Sequence, residues 1–300
     1  MRIGFIVNPR AGVHGKIAEE TRELINLHIS KEHNTSIAVT TAAGDAVKLS
    51  ERFAAEGFDV VASVGGDGTA SEVARGVAGS SCALAIVPFG SGNGLARGLG
   101  LPLNRADAVR SVLSSRRRIV DMGEVFDGDE RFVFMGFCGI GYDAVVAKHF
   151  NERKGRRGLA SYVLLSLSLY GSYKPQRLEI RVNGRQWAEK PFILAIANTS
   201  EYGNGAKIAP NAVPDDGLFE VCQLTDMSLM KGILNGWRLF NGSIDLLPGT
   251  TFLRASEIEV VPESEIVYHL EGEARVTSRR LLFRVLPSAI RVVSPDVNPH

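Results

Sequence analysis

The sequence predicts an α/β plus β protein: a doubly wound parallel-sheet N-terminal domain, a β-sandwich C-terminal domain, and a cleft between them. Two observations lead to this fold class. Over residues 1–120, short apolar runs alternate with helical patterns, whereas over residues 121–300 strand-like runs dominate. At 300 residues the chain is long enough for two domains, each with its own core. The spacing leaves open whether the last strand returns to the first domain.

The elements follow from apolar periodicity and from the glycine, proline and polar residues between the runs. In the first domain, strands are predicted at residues 3–7, 36–40, 59–64 and 83–87, and helices at about 15–32, 45–56, 69–78 and 104–114. In the second domain, strands are predicted at 118–126, 131–138, 177–182, 191–197, 218–224, 252–261, 265–270, 280–285 and 289–293, with helical interruptions near 142–172 and 228–241.

Composition and charge exclude several classes of protein. The net charge is +1, so no global field recruits nucleic acid, and we expect no nucleic-acid partner. Cys82, Cys138 and Cys222 lie far apart in apolar surroundings, which favours buried thiols in a reducing compartment. There is no signal-peptide pattern, and no apolar run approaches ~20 residues. We therefore expect a cytoplasmic protein.

The most informative segment is a glycine-rich turn that follows an apolar β-branched run. The strand at residues 59–64 stops at Gly65–Thr69, and a helical pattern begins behind Thr69. Glycines let a ligand approach main-chain N–H groups, and the start of a helix favours an anion such as phosphate. A bare carboxylate at Asp67 would repel phosphate unless it holds a cation or accepts a proton. The turn therefore predicts phosphoryl transfer with a metal.

Two further strand exits have the same character. Residues 83–87 lead into the loop Pro88–Gly94, and residues 3–7 lead into Asn8–Gly12. In one such turn alone, the glycines could be needed only for the backbone conformation of the connection. Three such turns at one edge of a parallel sheet predict a nucleotide-binding crevice.

Three motifs in the second domain each have two interpretations. The turn Pro214–Gly217 fits simple turn chemistry, which spacing alone favours, or a hard-cation site made of one carboxylate and backbone carbonyls. Glu271 and Glu273 fit a solvated hairpin, which the pattern favours, or a pair that orients a hydroxyl and removes its proton. His269 alternates with Val267 and is predicted to be structural.

The third motif is a basic cluster at residues 153–157 followed by a nearly all-apolar helix at 159–170. The favoured interpretation is a helix buried against the sandwich. The alternatives are the wall of a lipid cavity and a surface helix that meets anionic headgroups.

With these motifs in place, the chain strongly resembles the diacylglycerol kinase catalytic-domain family, which includes bacterial lipid kinases, diacylglycerol kinases and sphingosine kinases. The matching segments occur in family order over nearly the whole chain. They are Asn8-Pro9 with Gly12, Gly65–Thr69 with Glu72, Pro88–Asn93 with Leu95–Arg97, Asp121, Pro210–Leu218 and Glu271–Glu273.

The resemblance implies ATP in the crevice of the first domain and a lipid alcohol as second substrate. The nucleotide site implied by the family and by the three glycine turns comprises Asn8, Pro9, Gly12, Thr40, Thr41, Gly65, Gly66, Asp67, Gly68, Thr69, Glu72, Gly90, Ser91, Gly92 and Asn93. The implied metal ligands are the Val213 carbonyl, the Asp216 carboxylate and the Leu218 carbonyl, with Asp67 and Asp121 serving a Mg²⁺–water network. The implied catalytic groups are Glu271 as general base, Asp67 acting through the metal, and Glu273 beside the base.

Two departures from the family pattern affect what can be inferred. Gly94 stands where the family usually has Asp, and Glu271 stands where Asp is more common. The expected activity is ATP- and Mg²⁺-dependent phosphorylation of a lipid alcohol such as diacylglycerol or a sphingoid base. The alternatives are an NAD-kinase-like small-molecule kinase and a catalytically impaired nucleotide- or lipid-binding protein. Transient contact with a membrane surface and a homodimer are left open.

Overall fold

A computed structural model describes residues 1–11, 16–153, 159–225 and 227–295. The chain divides into two compact units. The first unit comprises Met1–Asp121 together with the segment that starts at Ser288, and the second unit comprises Met122–Pro287.

The first unit is built on a parallel sheet in the order β2-β1-β3-β4. The strands are β1 Arg2–Val7, β2 Asn34–Val39, β3 Val60–Gly65 and β4 Ala83–Pro88. The helices are α1 Ile17–His28, α2 Asp45–Ala55, α3 Asp67–Val77, α4 Gly94–Gly98 and α5 Arg105–Ser111. The last strand of the chain does return to this unit, where residues 291–292 pair in parallel with residues 83–84 of β4.

Both faces of this sheet are covered because its strands are apolar on both sides. Alternate residues of β1, namely Ile3, Phe5 and Val7, join a core with α1 and α5. On the other face Gly4 lies under Phe53 of α2, where a Cβ would come within 2.4 Å of the Phe53 ring. Helices therefore pack on both sides of a parallel sheet, which confirms the doubly wound prediction.

The second unit consists mainly of antiparallel strands, with short helices between them. Its strands are β5 Arg117–Asp127 (which begins in the first unit), β6 Glu130–Phe134, β7 Phe137–Gly141, β8 Leu178–Val182, β9 Arg185–Glu189, β10 Ile193–Ala197, β11 Glu201–Gly203, β12 Ala206–Lys207, β13 Phe219–Leu224, β14 Thr250–Ala255, β15 Glu257–Pro262, β16 Ile266–Leu270, β17 Glu273–Thr277 and β18 Leu281–Val293 (which ends in the first unit). The α-helices are α6 Tyr142–Glu152, α7 Leu159–Leu169, α8 Leu229–Asn235 and α9 Arg238–Asn241.

Two sheets face each other across the core of this unit. One sheet has the order β14-β13-β10-β7-β16-β17, and the other contains β9-β8-β15-β18 with β5 and β6. Buried side chains from both sheets, such as Ile180 and Ile258 from one and Leu194, Val221 and Tyr268 from the other, form one hydrophobic cluster. The predicted C-terminal β-sandwich is confirmed.

Several predicted boundaries differ from the structure for local reasons. The run at 131–138 forms two strands, because the amides of Met135 and Gly136 donate to the Glu271 carboxylate. Conversely, the runs at 280–285 and 289–293 form the single strand β18, which passes through Ser288 at φ 54°. Strands β9, β11, β12 and β17 were not predicted, because polar residues, charged residues and glycines interrupt their apolar pattern.

The long helical pattern at 142–172 forms α6 and α7, and α7 differs from the favoured prediction of a buried helix. Leu165 is buried, but Leu164 is 68% exposed, and Val163 and Leu167 are exposed as well. Of the basic cluster before this helix, residues 154–157 lie outside the described residues. Within the described ranges, none of the helices has the length and apolar character needed to cross a bilayer.

Candidate active site

The exits of β3 and β4 approach each other through two glycines. A Cβ on Gly90 would lie 2.6 Å from the Cα of Gly66, and a Cβ on Gly66 would lie 3.4 Å from the Cα of Gly90. The amides of Phe89 and Gly90 both donate to the Gly65 carbonyl, at 2.7 and 3.1 Å. Only glycine permits this approach, so the two loops form a surface of bare backbone, which we call the glycine cradle (Gly65, Gly66 and Gly90).

The cradle lies where ligands usually bind in a parallel α/β sheet. The chain leaves β1 toward β2 on one side and then continues through β3 and β4 on the other. The carboxyl ends of strands next to such a reversal form a crevice. Asn8, at the exit of β1, donates from Nδ2 to Thr69 Oγ1 at 3.0 Å and thereby connects this exit to the first turn of α3. Pro9 lies in the turn that follows, and Gly12 lies outside the described residues.

The first turn of α3 supplies amide donors beside the cradle. The first intrahelical bond runs from the Ala70 amide to the Gly66 carbonyl at 3.1 Å, so the amides of Gly68 and Thr69 precede it. Gly68 is exposed to solvent, whereas Thr69 is buried. The positive end of the helix dipole adds to the attraction for an anion.

Asp67 joins α3 to the loop that follows β4. Its Oδ1 accepts from the Leu95 amide at 2.9 Å. Burial raises the pKa of this carboxyl, while the amides of Leu95 and Gly94 act in the opposite direction. Gly94 therefore contributes its backbone at the place where the family usually has a second carboxylate.

We expect Asp67→Asn to raise the free energy of unfolding at pH 7, because asparagine removes a half-buried charge and its amide oxygen can still accept from the Leu95 amide. The pKa of Asp67 is raised in the folded state, so the fold favours the protonated carboxyl group. The stability that this group contributes is present below the ordinary pKa of 3.8 and is lost as the pH rises through the folded pKa. The difference between variant and wild type should therefore narrow from pH 7 to pH 4 in urea denaturation. An equal difference in unfolding free energy at pH 7 and pH 4 would contradict this expectation. The control is Asp129→Asn, because the Asp129 side chain is exposed.

Two residues of the predicted nucleotide site, Thr41 and Glu72, form hydrogen bonds with residues at the start of α2. Glu72 accepts from the Gly44 amide at 3.0 Å and from the Ala46 amide at 3.1 Å. Thr41 donates its hydroxyl to Asp45 Oδ2 at 2.7 Å and its amide to the same oxygen at 2.8 Å. These bonds, the hydroxyl foremost, lower the pKa of Asp45 to about 2.

Thr40 is placed differently from Thr41. It is buried at the exit of β2, and its amide donates to the Val7 carbonyl at 2.9 Å. Of the two threonines, Thr40 lies in the row of strand ends that contains Asn8 and the glycine cradle.

The loop after β4 contains an unpaired buried acceptor. Asn93 adopts φ 49°, and its Nδ2 donates to the Gly90 carbonyl at 3.0 Å. Its Oδ1 is buried and has no hydrogen-bond partner among the described residues. Ser91 is exposed and Gly92 is half-buried. An orphaned polar atom costs free energy, which is typical of a site that is completed by a ligand.

The two other carboxylates predicted to serve a metal already have protein partners, and the Val213 and Leu218 carbonyls remain predicted ligands. Asp121 is buried and accepts from the Ser288 amide at 2.7 Å. Asp216 accepts from the Leu218 amide at 3.0 Å and pairs with the Arg254 guanidinium. The Arg254 guanidinium therefore balances the charge of this carboxylate in the structure. Across the described ranges, no three His, Cys, Asp or Glu side chains form a metal-binding group.

In the second unit, Glu271 lies in a tight turn between β16 and β17. Glu271 at φ 53° and Gly272 at φ 92° form a two-residue loop, with Leu270 opposite Glu273. Two positive φ values are typical of a type I′ hairpin turn, which a glutamate rarely enters. The Glu271 Oε1 accepts from the amides of Met135 and Gly136 at 2.8 and 2.6 Å. The backbone therefore fixes this carboxylate in position, whereas Glu273 is exposed.

A buried polar network supports this turn, and its members are far apart in sequence. His269 Nδ1 accepts from the Gly272 amide at 3.2 Å, so Nε2 carries the hydrogen that faces Asp143 Oδ2, also at 3.2 Å. The Tyr202 hydroxyl donates to the same Asp143 oxygen at 2.8 Å. Burial, and then the Asp143 charge, raise the pKa of Tyr202 well above its usual range, so it remains a donor.

The sequence predicts a structural role for His269, and in the structure its side chain is buried beside the turn. Nothing in the local pattern indicated its partners, because Asp143 lies 126 residues away along the chain.

A parallel α/β unit with a glycine cradle, followed by a β-sandwich that holds a fixed carboxylate, is an arrangement that suits phosphoryl transfer. Residues 2–125 match the model of the diacylglycerol kinase catalytic domain, and residues 136–294 match that of the YegS C-terminal NAD kinase beta sandwich-like domain. The chain belongs to this family of YegS-like lipid kinases.

Relatives and solved structures agree with this assignment. A probable lipid kinase YegS-like from Pseudomonas aeruginosa is 31% identical over 96% of this chain and 94% of its own length. A protein of the same description from Klebsiella pneumoniae is 28% identical, with 96% of both chains covered. The crystal structure of a diacylglycerol kinase from Bacillus anthracis superposes with a TM-score of 0.73 at 21% identity, covering 99% of this chain and 98% of the other. That structure supports the fold alone.

Proposed function

We propose that this protein transfers the γ-phosphoryl group of ATP to the hydroxyl of a lipid alcohol such as diacylglycerol or a sphingoid base, with Mg²⁺. The observation that carries the proposal is the glycine cradle, where Gly66 and Gly90 leave bare backbone beside the start of an 11-residue helix. Family membership supports the lipid as acceptor, since the relatives are named as probable lipid kinases. In this proposal residues 1–120 bind the nucleotide and residues 121–300 bind the lipid.

The phosphate chain would lie against the cradle and the first turn of α3. The amides of Gly68 and Thr69 donate to its oxygens, and the helix dipole offsets part of its charge. Phosphoryl transfer is catalysed mainly by positioning and electrostatics, so an arrangement of fixed backbone donors suits it. In this proposal the nucleotide would supply the hydrogen bond that the buried Asn93 Oδ1 lacks.

Among the carboxylates considered for Mg²⁺, Asp67 fits best. It lies at the cradle, and the pKa raised by its burial indicates a site where a cation would relieve an unfavourable negative charge. When bound, Mg²⁺ would neutralise charge on the phosphates. We assign no cation to Asp216, because Arg254 already pairs with it.

Glu271 is the group that would orient the lipid hydroxyl and accept its proton. Fixing its Oε1 by two backbone amides sets the direction of the carboxylate and limits the motion of a flexible side chain. A general base must be held within hydrogen-bond reach of the proton that it removes. The left-handed conformation of Glu271 is a strained feature, and strain of this kind concentrates at functional sites.

The decisive test of nucleotide binding is Gly90→Ala. The added Cβ would lie 2.6 Å from the Gly66 Cα, so the two loops must separate and the cradle is lost. We expect the affinity for MgATP to fall by at least about tenfold, which is about 1.4 kcal/mol. Isothermal titration calorimetry measures this directly.

The matched control is Gly171→Ala, since an added Cβ there meets nothing within 4 Å and its φ is ordinary. Unchanged affinity in Gly90→Ala, or no saturable MgATP binding by the wild type, would overturn the proposal. Radiolabel transfer from ATP to diacylglycerol, sphingosine and NAD then separates lipid kinase from NAD-kinase-like activity. Binding of ATP without transfer to any acceptor would instead favour a catalytically impaired binding protein, the alternative suggested by Gly94.

A further inference from the structure

The segment Ser228–Ser243 forms two short helices that leave their apolar side chains in solvent. Neither α8 nor α9 contains a buried residue. Five large apolar side chains of the segment are each about half exposed or more: Met230 65%, Ile233 57%, Leu234 63%, Trp237 54% and Phe240 48%. So many exposed large apolar side chains within one short segment indicate an interaction site. We call these five residues the α8–α9 surface.

The charges of this segment have one sign. Residues 228–243 contain Lys231 and Arg238 and no acidic residue, and the flanking acids are Asp226 before the segment and Asp245 after it. The Arg238 guanidinium lies over the Trp237 ring, 5.0 Å from its centroid. This guanidinium also donates to Asn235 Oδ1 and to the Ser243 carbonyl, which holds it at this segment. Apolar side chains next to cations and an exposed tryptophan are the features of helices that lie in the interface of an anionic membrane.

The end of α7 adjoins the start of this segment and is also apolar. The Tyr170 hydroxyl donates to the Met227 carbonyl, and Met227 packs against the cluster that contains Leu165. Residues 159–173 carry no charged side chain. Three large apolar side chains of α7 are exposed, namely Val163, Leu164 and Leu167. Helix α7 therefore adds a second apolar strip without acidic groups.

We propose that the α8–α9 surface docks the second unit onto a bilayer surface that contains anionic glycerophospholipid. The helices lie in the plane of the headgroups, with their apolar side chains between the acyl chains and Lys231 and Arg238 near phosphates. A second copy of the chain is disfavoured as the occupant, because a two-fold contact brings the same cationic patch against itself. The role of this docking, which is access to a lipid substrate, rests on the proposed function, whereas binding to the bilayer does not.

Trp237 provides a direct measurement. The chain has two tryptophans, and the other, Trp187, is partly buried and donates to Gln223 Oε1 at 3.3 Å. In Trp187→Phe the emission reports on Trp237 alone. We expect a blue shift, and quenching by brominated acyl chains, with phosphatidylcholine–phosphatidylglycerol vesicles in a 7:3 ratio. Pure phosphatidylcholine vesicles should give at least a tenfold weaker response.

The substitution that tests the surface is the pair Ile233→Gln and Leu234→Gln, made in the Trp187→Phe background. Both side chains are exposed, so folding should be unaffected, and thermal unfolding checks this. We expect the vesicle affinity to fall by at least tenfold. The matched control is Leu27→Gln on α1, because Leu27 is an equally apolar side chain that is 75% exposed in the other unit. The vesicle affinity of this variant should equal that of wild type.

The outcomes distinguish this proposal from the proposed kinase activity. The double variant should phosphorylate monodisperse dioctanoylglycerol at the wild-type rate. It should phosphorylate diacylglycerol in vesicles at least tenfold more slowly than wild type. No Trp237 response to anionic vesicles overturns the docking surface even if dioctanoylglycerol is phosphorylated. A concentration-dependent dimer that shields Trp237 without lipid overturns it as well. Vesicle binding by a protein that phosphorylates no lipid supports the surface and rejects the kinase.

Discussion

Glu271→Gln should lower the turnover of lipid phosphorylation by about 10²-fold or more, the range expected for loss of a general base. The glutamine oxygen can still accept from the amides of Met135 and Gly136, so the hairpin should keep its conformation. Binding of MgATP should stay at the wild-type value. The measurements are steady-state kinetics with a saturating lipid acceptor and calorimetry with MgATP.

Two further variants sharpen this test. Glu271→Asp keeps the charge and restores the residue more common in the family, so it should retain far more activity than Glu271→Gln. Glu130→Gln, which neutralises an exposed glutamate at another strand end, should leave turnover unchanged. Wild-type turnover in Glu271→Gln would show that another group removes the proton. A large loss in Glu273→Gln instead would move the role to the second carboxylate.

Gly139→Ala should lower the free energy of unfolding by about 3 kcal/mol or more, the combined expectation for overpacking a core and disrupting a buried hydrogen bond to a carboxylate. Gly139 lies in β7, which pairs with β10 on one side and β16 on the other, so its backbone cannot move aside. A Cβ there would come within 2.1 Å of Asp143 Oδ2 and 2.4 Å of His269 Nε2. The urea midpoint measures the loss, with Gly171→Ala as the matched substitution.

Gly139 packs against Asp143 and His269, and His269 supports the proposed catalytic turn. If Gly139→Ala does not fold, Asp143→Asn offers a milder change, because it removes the charge and retains the shape of the side chain. We expect Asp143→Asn to reduce turnover more than MgATP affinity, since its partner His269 bonds to the Glu271 hairpin through the Gly272 amide. A stable Gly139→Ala protein with an unchanged urea midpoint would contradict the packing argument.

The fold class could be predicted because its signals are local. Alternating apolar runs and helical patterns indicated the doubly wound sheet, and the turn at Gly65–Thr69 marked the strand exit that faces the crevice. Boundaries failed where a distant group changed the local hydrogen bonding. The run at 131–138 is mostly apolar, and the carboxylate of Glu271, which is remote in sequence, divides it into β6 and β7.

Neighbouring residues were enough to establish the class of protein, the family and the glycine positions, because backbone conformation and apolar periodicity are local properties of a chain. Which side chains meet became known only from the folded molecule. Folding pairs Asp216 with Arg254, sets His269 between Asp143 and Gly272, and leaves no residue of the apolar helices α8 and α9 buried. Such contacts depend on the packing of strands far apart in the chain, and no local pattern encodes that packing.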